Sequence, residues 1–340
     1  MLCRTCAFIF KRQLPSVVYL RKNLSGKELQ QDERDPGKYF FDDKVQALMK
    51  KLTRMDLEKV FRIRKEGQKL ETPEYKFMTT EDLENEMEKM MEKADRLLQM
   101  PPFVKEREEI NTILANDKHI QGFETSKFVF TDISYGSSDR DRVIVVREPN
   151  GILRKANWEE RNRMNQIYFE RIGRKIKPPP MFEDKYLRDL LERKEYVFTL
   201  DRACIQFEPD DRDFIRVRNA VYDHANENKE FESLRSTRHF GPLAFYLAWK
   251  NQIDFLLIDL IDGDRLDEAV SLIELYQVLQ PSSKIAGKKD QIKGDIEIIK
   301  AYAELSSLRR QDVEMAIKNY SQRQFHNIGE DDQAMAQLNS

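Results

Sequence analysis

Residues 253–279 read IDFLLIDLIDGDRLDEAVSLIELYQVL, and this stretch sets the fold class. Ile253, Leu256, Leu257 and Leu260 recur at three- and four-residue spacing, and so do Leu266, Ala269, Val270, Ile273, Tyr276 and Leu279. Each set draws one apolar helix face, where a strand would alternate at every second residue. The connection is short, so the two helices are expected to be antiparallel neighbours. Gly263 suits the left-handed position that ends the first helix, Asp264 caps the second, and Asp267 takes the capping-box place. Asp259, Asp262, Asp264 and Asp267 therefore read as chain reversal, since they lack the glutamate-terminated spacing of a calcium loop.

Outward from this pair the helical period continues. Leu187, Leu190 and Leu191 begin one helix, Phe214, Val217, Val221 and Tyr222 lie on another, and Leu243, Tyr246 and Leu247 mark a third. Beyond Pro281, two further helices are expected at 292–308 and 313–320. Residues 184–327 thus predict a C-terminal domain of stacked helical hairpins, solenoid-like, with a flexible tail over 328–340. The run from Asp264 to Ala269 resembles the hairpins of tetratricopeptide and pentatricopeptide proteins, but no second copy recurs at a period of about 34 residues.

Upstream the pattern changes. Phe128 to Ile133 and Val143 to Val146 are β-branched and aromatic runs, and Pro149-Asn150-Gly151 supplies a turn before Ile152-Leu153. Residues 126–156 predict a three-stranded antiparallel meander. Asn157 with Glu160 starts a helix with Trp158, Met164, Ile167 and Tyr168 as core candidates, and a basic, Pro-rich linker closes the 157–183 segment. Residues 41–125 form an N-terminal helical region. There Asp42 or Asp43 caps a helix carrying Val45, Leu48, Met49 and Leu52. Thr79 and Asp82 open a second helix with the apolar stripe Leu83, Met87, Met90, Met91, Ala94, Leu97 and Leu98, ended by Pro101 and Pro102. Its opposite face is acidic, which repels phosphate and suits a protein partner or solvent. The fold class is mainly α with a small antiparallel β meander.

Residues 25–40 read as a disordered lead-in. Residues 1–24 read as a mitochondrial presequence, because Arg4, Lys11, Arg12, Arg21, Lys22 and Lys27 all precede the first acid, Glu28; a basic tail is the alternative. Cleavage near Leu24 removes five positive charges and takes the net charge from -2 to -7. Cys3 and Cys6 leave with it, so Cys204 alone remains and neither an internal disulfide nor a cysteine metal cage is available.

Length and composition narrow the function classes. A chain of 340 residues can bury a sizeable core, so a small disulfide-stapled module is excluded. Only 12 glycines argue against a phosphate-binding α/β enzyme, and the longest uncharged run, from His239 to Trp249, is too short for a membrane span. No Gly-rich phosphate loop, His-Glu-x-x-His or Gly-x-Ser-x-Gly motif occurs, and His119, His224, His239 and His326 lack ligand spacing. The expectation is no enzyme, no cofactor, no metal and no small-molecule substrate.

The positive signal is charge segregation. From Arg140 to Lys177, 11 basic residues face five acids, a local +6 in a mature chain otherwise at -13. Phosphate contact is expected there, with Arg147, Arg154, Lys155, Arg171, Arg174, Lys175 and Lys177 as RNA-contact candidates and the last four on an extended arm. Solvated surface is the competing reading of the same run.

The segments 125–134 (TSKFVFTDIS), 145–151 (VVREPNG), 158–161 (WEER), 206–209 (QFEP) and 234–238 (LRSTR) closely resemble, in order and spacing, an animal family of mitochondrial small-subunit ribosomal proteins, the one numbered twenty-two in its series. The likeness spans roughly residues 42 to 300. It implies a structural constituent of the small ribosomal subunit in the mitochondrial matrix. Its partners would be other small-subunit ribosomal proteins and small-subunit rRNA, and it carries over no catalytic residue. The alternative is an organellar RNA-binding helical-repeat protein that acts outside the ribosome.

Overall fold

The hairpin expected around Gly263 forms as α10 (Asp254–Asp262) and α11 (Leu266–Leu279) in the computed structural model, which describes residues 34–61, 75–119, 125–285 and 294–338. The presequence reading and the Cys3/Cys6 pair lie outside the described residues. The turn is built differently from expectation. Gly263 keeps an ordinary φ of -86°, Asp264 takes the left-handed conformation at +57°, and α11 has no side-chain cap at Arg265. The Asp264 N–H donates to Ile261 O and the Arg265 N–H to Leu260 O, which satisfies the last carbonyls of α10. The same pair of bonds ends α6 (Asp184–Glu192) at Lys194, α8 (Arg212–Glu227) at Lys229 and α9 (Phe240–Trp249) at Asn251, each with positive φ. At these four helix ends the left-handed residue is therefore not glycine, consistent with its scarcity in the chain.

Helix α9 is apolar all round and buries every residue from Phe240 to Ala248, so it occupies the middle of the core. One continuous core joins it to residues of α7 (Tyr196–Gln206), α8, α10, α11, α12 (Asp295–Leu305) and α13 (Arg310–Leu338), with α12 packed on α11 and α13 on α10. The α13 backbone is helical through Leu338. Helix α7 is an addition to the elements expected from the sequence. α11 packs on α9, α10 and α12, but also on α2 (Asp43–Thr53), which lies on α9 as well. The core is therefore closed by a helix from far upstream and not by sequential hairpins alone.

Asp42 caps α2 as expected, its Oδ1 accepting from the Lys44 and Val45 N–H groups at 2.9 and 3.3 Å. Val45, Leu48, Met49 and Leu52 are buried, each worth roughly 1.5–3 kcal/mol of transfer energy. Gly241 leaves room for Met100 and for α2 against α9: a Cβ there would lie 2.2 Å from Met100 Sδ, 3.2 Å from Met49 Cβ and 3.3 Å from Thr53 Oγ1. Order begins before Asp42. Asp35 caps α1 (Pro36–Phe40), Pro36 stands in its first turn, and Phe40 packs edge-on against Phe245 at 5.3 Å. Pro36 is thus a helix starter and not part of a disordered lead-in.

The α4 helix (Thr80–Leu97) carries the expected Thr79/Asp82 capping box. Its stripe is not core: Leu83, Met87, Met90, Met91 and Leu97 are exposed and only Ala94 is fully buried. α3 (Leu57–Phe61) packs beside it.

The sheet has four antiparallel strands in the order β1-β4-β3-β2, one more than expected. β2 (Phe128–Thr131), β3 (Ile144–Arg147) and β4 (Ile152–Lys155) form the meander, and β1 (Ile113–Asn116) pairs with β4. β1 is exposed along its whole length, so no buried alternation announced it. The turn at Gly151 requires glycine: φ is +84°, and a Cβ would sit 1.9 Å from the Asp117 carbonyl oxygen. Ile144, Val146 and Ala156 form a small second core with Val129 and Met164.

Candidate nucleic-acid interface

The basic segment runs from the loop before β3 through β4 and α5 (Trp158–Tyr168) to the prolines. Asn157 and Glu160 close the expected capping box on α5. Ile167 and Tyr168, expected in the core, are exposed. The helix turns Arg161, Asn165 and Gln166 inward instead, because loop carbonyls that need donors lie against it. Arg161 Nη2 donates to the carbonyls of Asp139, Arg140 and Arg142 at 3.1, 2.8 and 2.8 Å. Burial lowers its pKa. Arg142 likewise donates to the carbonyls of Asp132, Ser134 and Ser137, each at 3.0 Å, and lies 3.6 Å over the Phe169 ring. Both arginines hold the 132–142 loop closed.

Several candidates are taken up in the same way. Arg147 Nη1 donates to Gly151 O at 2.9 Å across the hairpin. Arg154 binds Glu148 at 2.7 Å and both oxygens of Glu160, at 2.8 and 2.9 Å, and Lys127 joins the same two carboxylates. The Arg154 hydrogen bonds, aided by Lys127 and the Asn157 N–H, outweigh burial and hold the Glu160 carboxyl at about 2. Arg171 pairs with Asp139 and Glu208 at 2.5 and 2.7 Å, and Arg174 with Glu208 at 2.9 Å. Burial alone would raise the Glu208 pKa, but Arg174, Arg171 and Arg140 bring it below the usual range.

The arm expected to be extended and free is therefore fastened to α7. Lys175 exchanges two backbone bonds with the Gln206 amide at 3.0 and 2.8 Å, and Arg202 donates to Gly173 O at 2.7 Å. Gln166 receives the other side, donating to the Arg171 and Arg174 carbonyls. Trp158 is likewise engaged: its Nε1–H donates to Glu108 O at 2.7 Å, and Arg107 lies over its ring at 4.3 Å.

What remains for a phosphate are the exposed side chains of Lys155, Lys175 and Lys177, with Arg163 on α5, none of which has an ion pair among the described residues. Arg163 was not singled out from the sequence. Glu148 and Glu160, close to Arg154 on either side, could have flagged that arginine as paired. The link from Glu208 to Arg171 and Arg174 joins parts of the chain far apart in sequence and leaves no local signal.

No group of three or more His, Cys, Asp or Glu converges at metal-binding geometry among the described residues, and no helix there is long and apolar enough to cross a membrane. A cleft of about 1130 Å³ between α2, the end of α4 and α7 is lined by Cys204, whose thiol burial pushes up to about 11. That thiol is protonated at neutral pH and is a poor nucleophile.

The site is thus a helical and sheet framework in which Arg142, Arg147, Arg154, Arg161, Arg171 and Arg174 bind the chain's own loops and carboxylates, leaving a few exposed cations in the basic segment. Residues 38–281 match the family described as mitochondrial 28S ribosomal protein S22, and the chain belongs to that family. Two relatives, each named small ribosomal subunit protein mS22, are 43% identical in Mus musculus and 41% identical in Bos taurus over 284 residues. Each alignment covers 83% of this chain and 79% of the relative.

Proposed function

We propose that the chain is a structural component of the mitochondrial small ribosomal subunit, holding neighbouring ribosomal proteins and small-subunit rRNA together in the matrix. The observation that carries this reading is the family match across 38–281. The internal use of Arg142, Arg147, Arg154, Arg161, Arg171 and Arg174 supports a scaffold whose shape is set before it meets RNA. Lys155, Lys175, Lys177 and Arg163 supply the phosphate contact, and the paired arginines position the surface that bears them. A transcript-reading repeat protein needs helices of a fixed period, whereas α6 to α11 run from 9 to 16 residues.

The test is sedimentation of the tagged chain from a mitochondrial lysate, before and after subunit dissociation. Stoichiometric comigration with small-subunit rRNA in both states is expected, and a light, ribosome-free peak overturns the reading. For the RNA contact, Lys155→Glu/Lys175→Glu/Lys177→Glu should weaken incorporation while leaving the fold intact, with the deficit relative to wild type shrinking as salt rises. Undiminished incorporation removes these residues from the interface.

A further inference from the structure

Helix α4 displays an apolar seam with the spacing of a helix made to pack on another helix. Leu83, Met87, Met90, Ala94 and Leu97 follow one another at intervals of four, three, four and three residues, the alternation of a two-helix seam. Leu83, Met87, Met90 and Leu97 are 52%, 58%, 42% and 50% exposed, with Met91 at 47% beside them. Immediately before the helix, Tyr75, Phe77 and Met78 are exposed as well. Ala94 is already buried by the chain itself, so the open part of the seam is Leu83, Met87, Met90 and Met91, with Leu97 beyond it; an exposed apolar surface of this kind marks an interaction site, and methionine at its centre lets it adapt to the partner. The Thr79/Asp82 capping box fixes the start of the helix without help from a tertiary contact.

The flanks identify the occupant. On the heptad that the seam defines, Glu81, Glu84, Glu88 and Asp95 lie along one side. Of these, Asp95 is bound by Lys50, whereas Glu81, Glu84 and Glu88 have no cation partner among the described residues. The helix carries seven carboxylates against three cations, so phosphate is repelled and a second α4 in the same register is disfavoured.

We infer that α4 is the docking site for an amphipathic helix of a neighbouring protein, one whose apolar seam is bordered by lysine or arginine that meets Glu81, Glu84 and Glu88. This rests on the ribosomal reading and names a partner class and a surface for it. The uncovered helix also accounts for the stripe that failed to join the core.

The test places a photo-crosslinking benzophenone side chain at Met87 of the full chain and sequences what it captures in purified small subunits. The expected product is a protein peptide with apolar residues at alternating three- and four-residue spacing and basic residues along one border. Glu84→Lys/Glu88→Lys should reduce that product about tenfold, as loss of a steering charge pair does. A crosslink to rRNA, to a second copy, or to a peptide without that pattern overturns the inference, as does no crosslink from incorporated chain. As a second measurement, Leu83→Asp/Met87→Asp should leave the melting temperature unchanged, since both side chains are exposed, and lower incorporation about tenfold. Full incorporation of that variant refutes the docking site alone, whereas absence of the wild-type chain from subunits refutes the ribosomal reading itself.

Discussion

Replacing Glu268 by alanine tests the tertiary link that ties the ends of α2, α10 and α11 to the 229–239 loop. The Arg235 guanidinium is 4% exposed and binds Glu268, itself 5% exposed, at 2.8 Å. It also binds Asp259 at 3.2 Å and Glu232 at 3.1 Å, and lies 4.8 Å from the Phe240 ring. Breaking a buried ion pair from one side costs about 3–5 kcal/mol because the remaining charge loses its partner. Here part of that is recovered. Asp259 stays in contact, and burial raises its pKa against the opposing pull of Arg235 and Arg265. Glu232 is 64% exposed and contributes little through solvent screening. The expected cost of Glu268→Ala is therefore about 2–4 kcal/mol, which for a unit of about 300 residues lowers the melting temperature by about 3–6 °C. Urea unfolding followed by circular dichroism measures it. The double variant Arg235→Met/Glu268→Leu keeps volume and removes both charges of the closest pair but leaves Asp259 with Arg265 at 3.6 Å, so it should recover part of the single variant's loss without reaching wild type. A Glu268→Ala loss below about 0.5 kcal/mol, or a double variant less stable than the single one, refutes the reasoning.

Gly151→Ala forces a Cβ onto the Asp117 carbonyl at positive φ, so a loss above about 2 kcal/mol is expected. With it should go the exchange protection of the Asp117 and Glu148 amides, which bond across this turn. Lys229→Gly and Asp264→Gly relieve left-handed residues at helix ends and should each stabilise by about 0.5–1 kcal/mol in the same urea assay. Glu160, held at about 2 against an unfolded value of 4.5, contributes stability that is complete above pH 4.5 and lost as pH falls through 2. Glu160→Gln should therefore lower stability at neutral pH and flatten the acid limb across that window; an acid titration with an unchanged limb contradicts the assignment.

The segments that carried the family likeness prove to be structural junctions. Gln206 and Glu208 of the QFEP stretch receive the basic arm, Glu160 and Arg161 of WEER bind Arg154 and the 132–142 loop, and Arg235 of LRSTR joins α10 and α11. The individual cations were harder to read. An arginine bound to a carboxylate and one free for phosphate look alike in a linear sequence when the partner lies far along the chain.

Local chemistry was enough to establish the helix class, the caps at Asp42, Thr79 and Asn157, the Gly151 turn and the family, because these depend on neighbours within a few residues. Contacts between distant segments settled that α2 closes the C-terminal core, that β1 joins the sheet, that Asp264 and not Gly263 turns left-handed, and that the α4 stripe stays uncovered. Periodicity records that a helix has an apolar face. Which surface covers that face, and which charges remain after internal pairing, depend on residues brought together from distant parts of the chain.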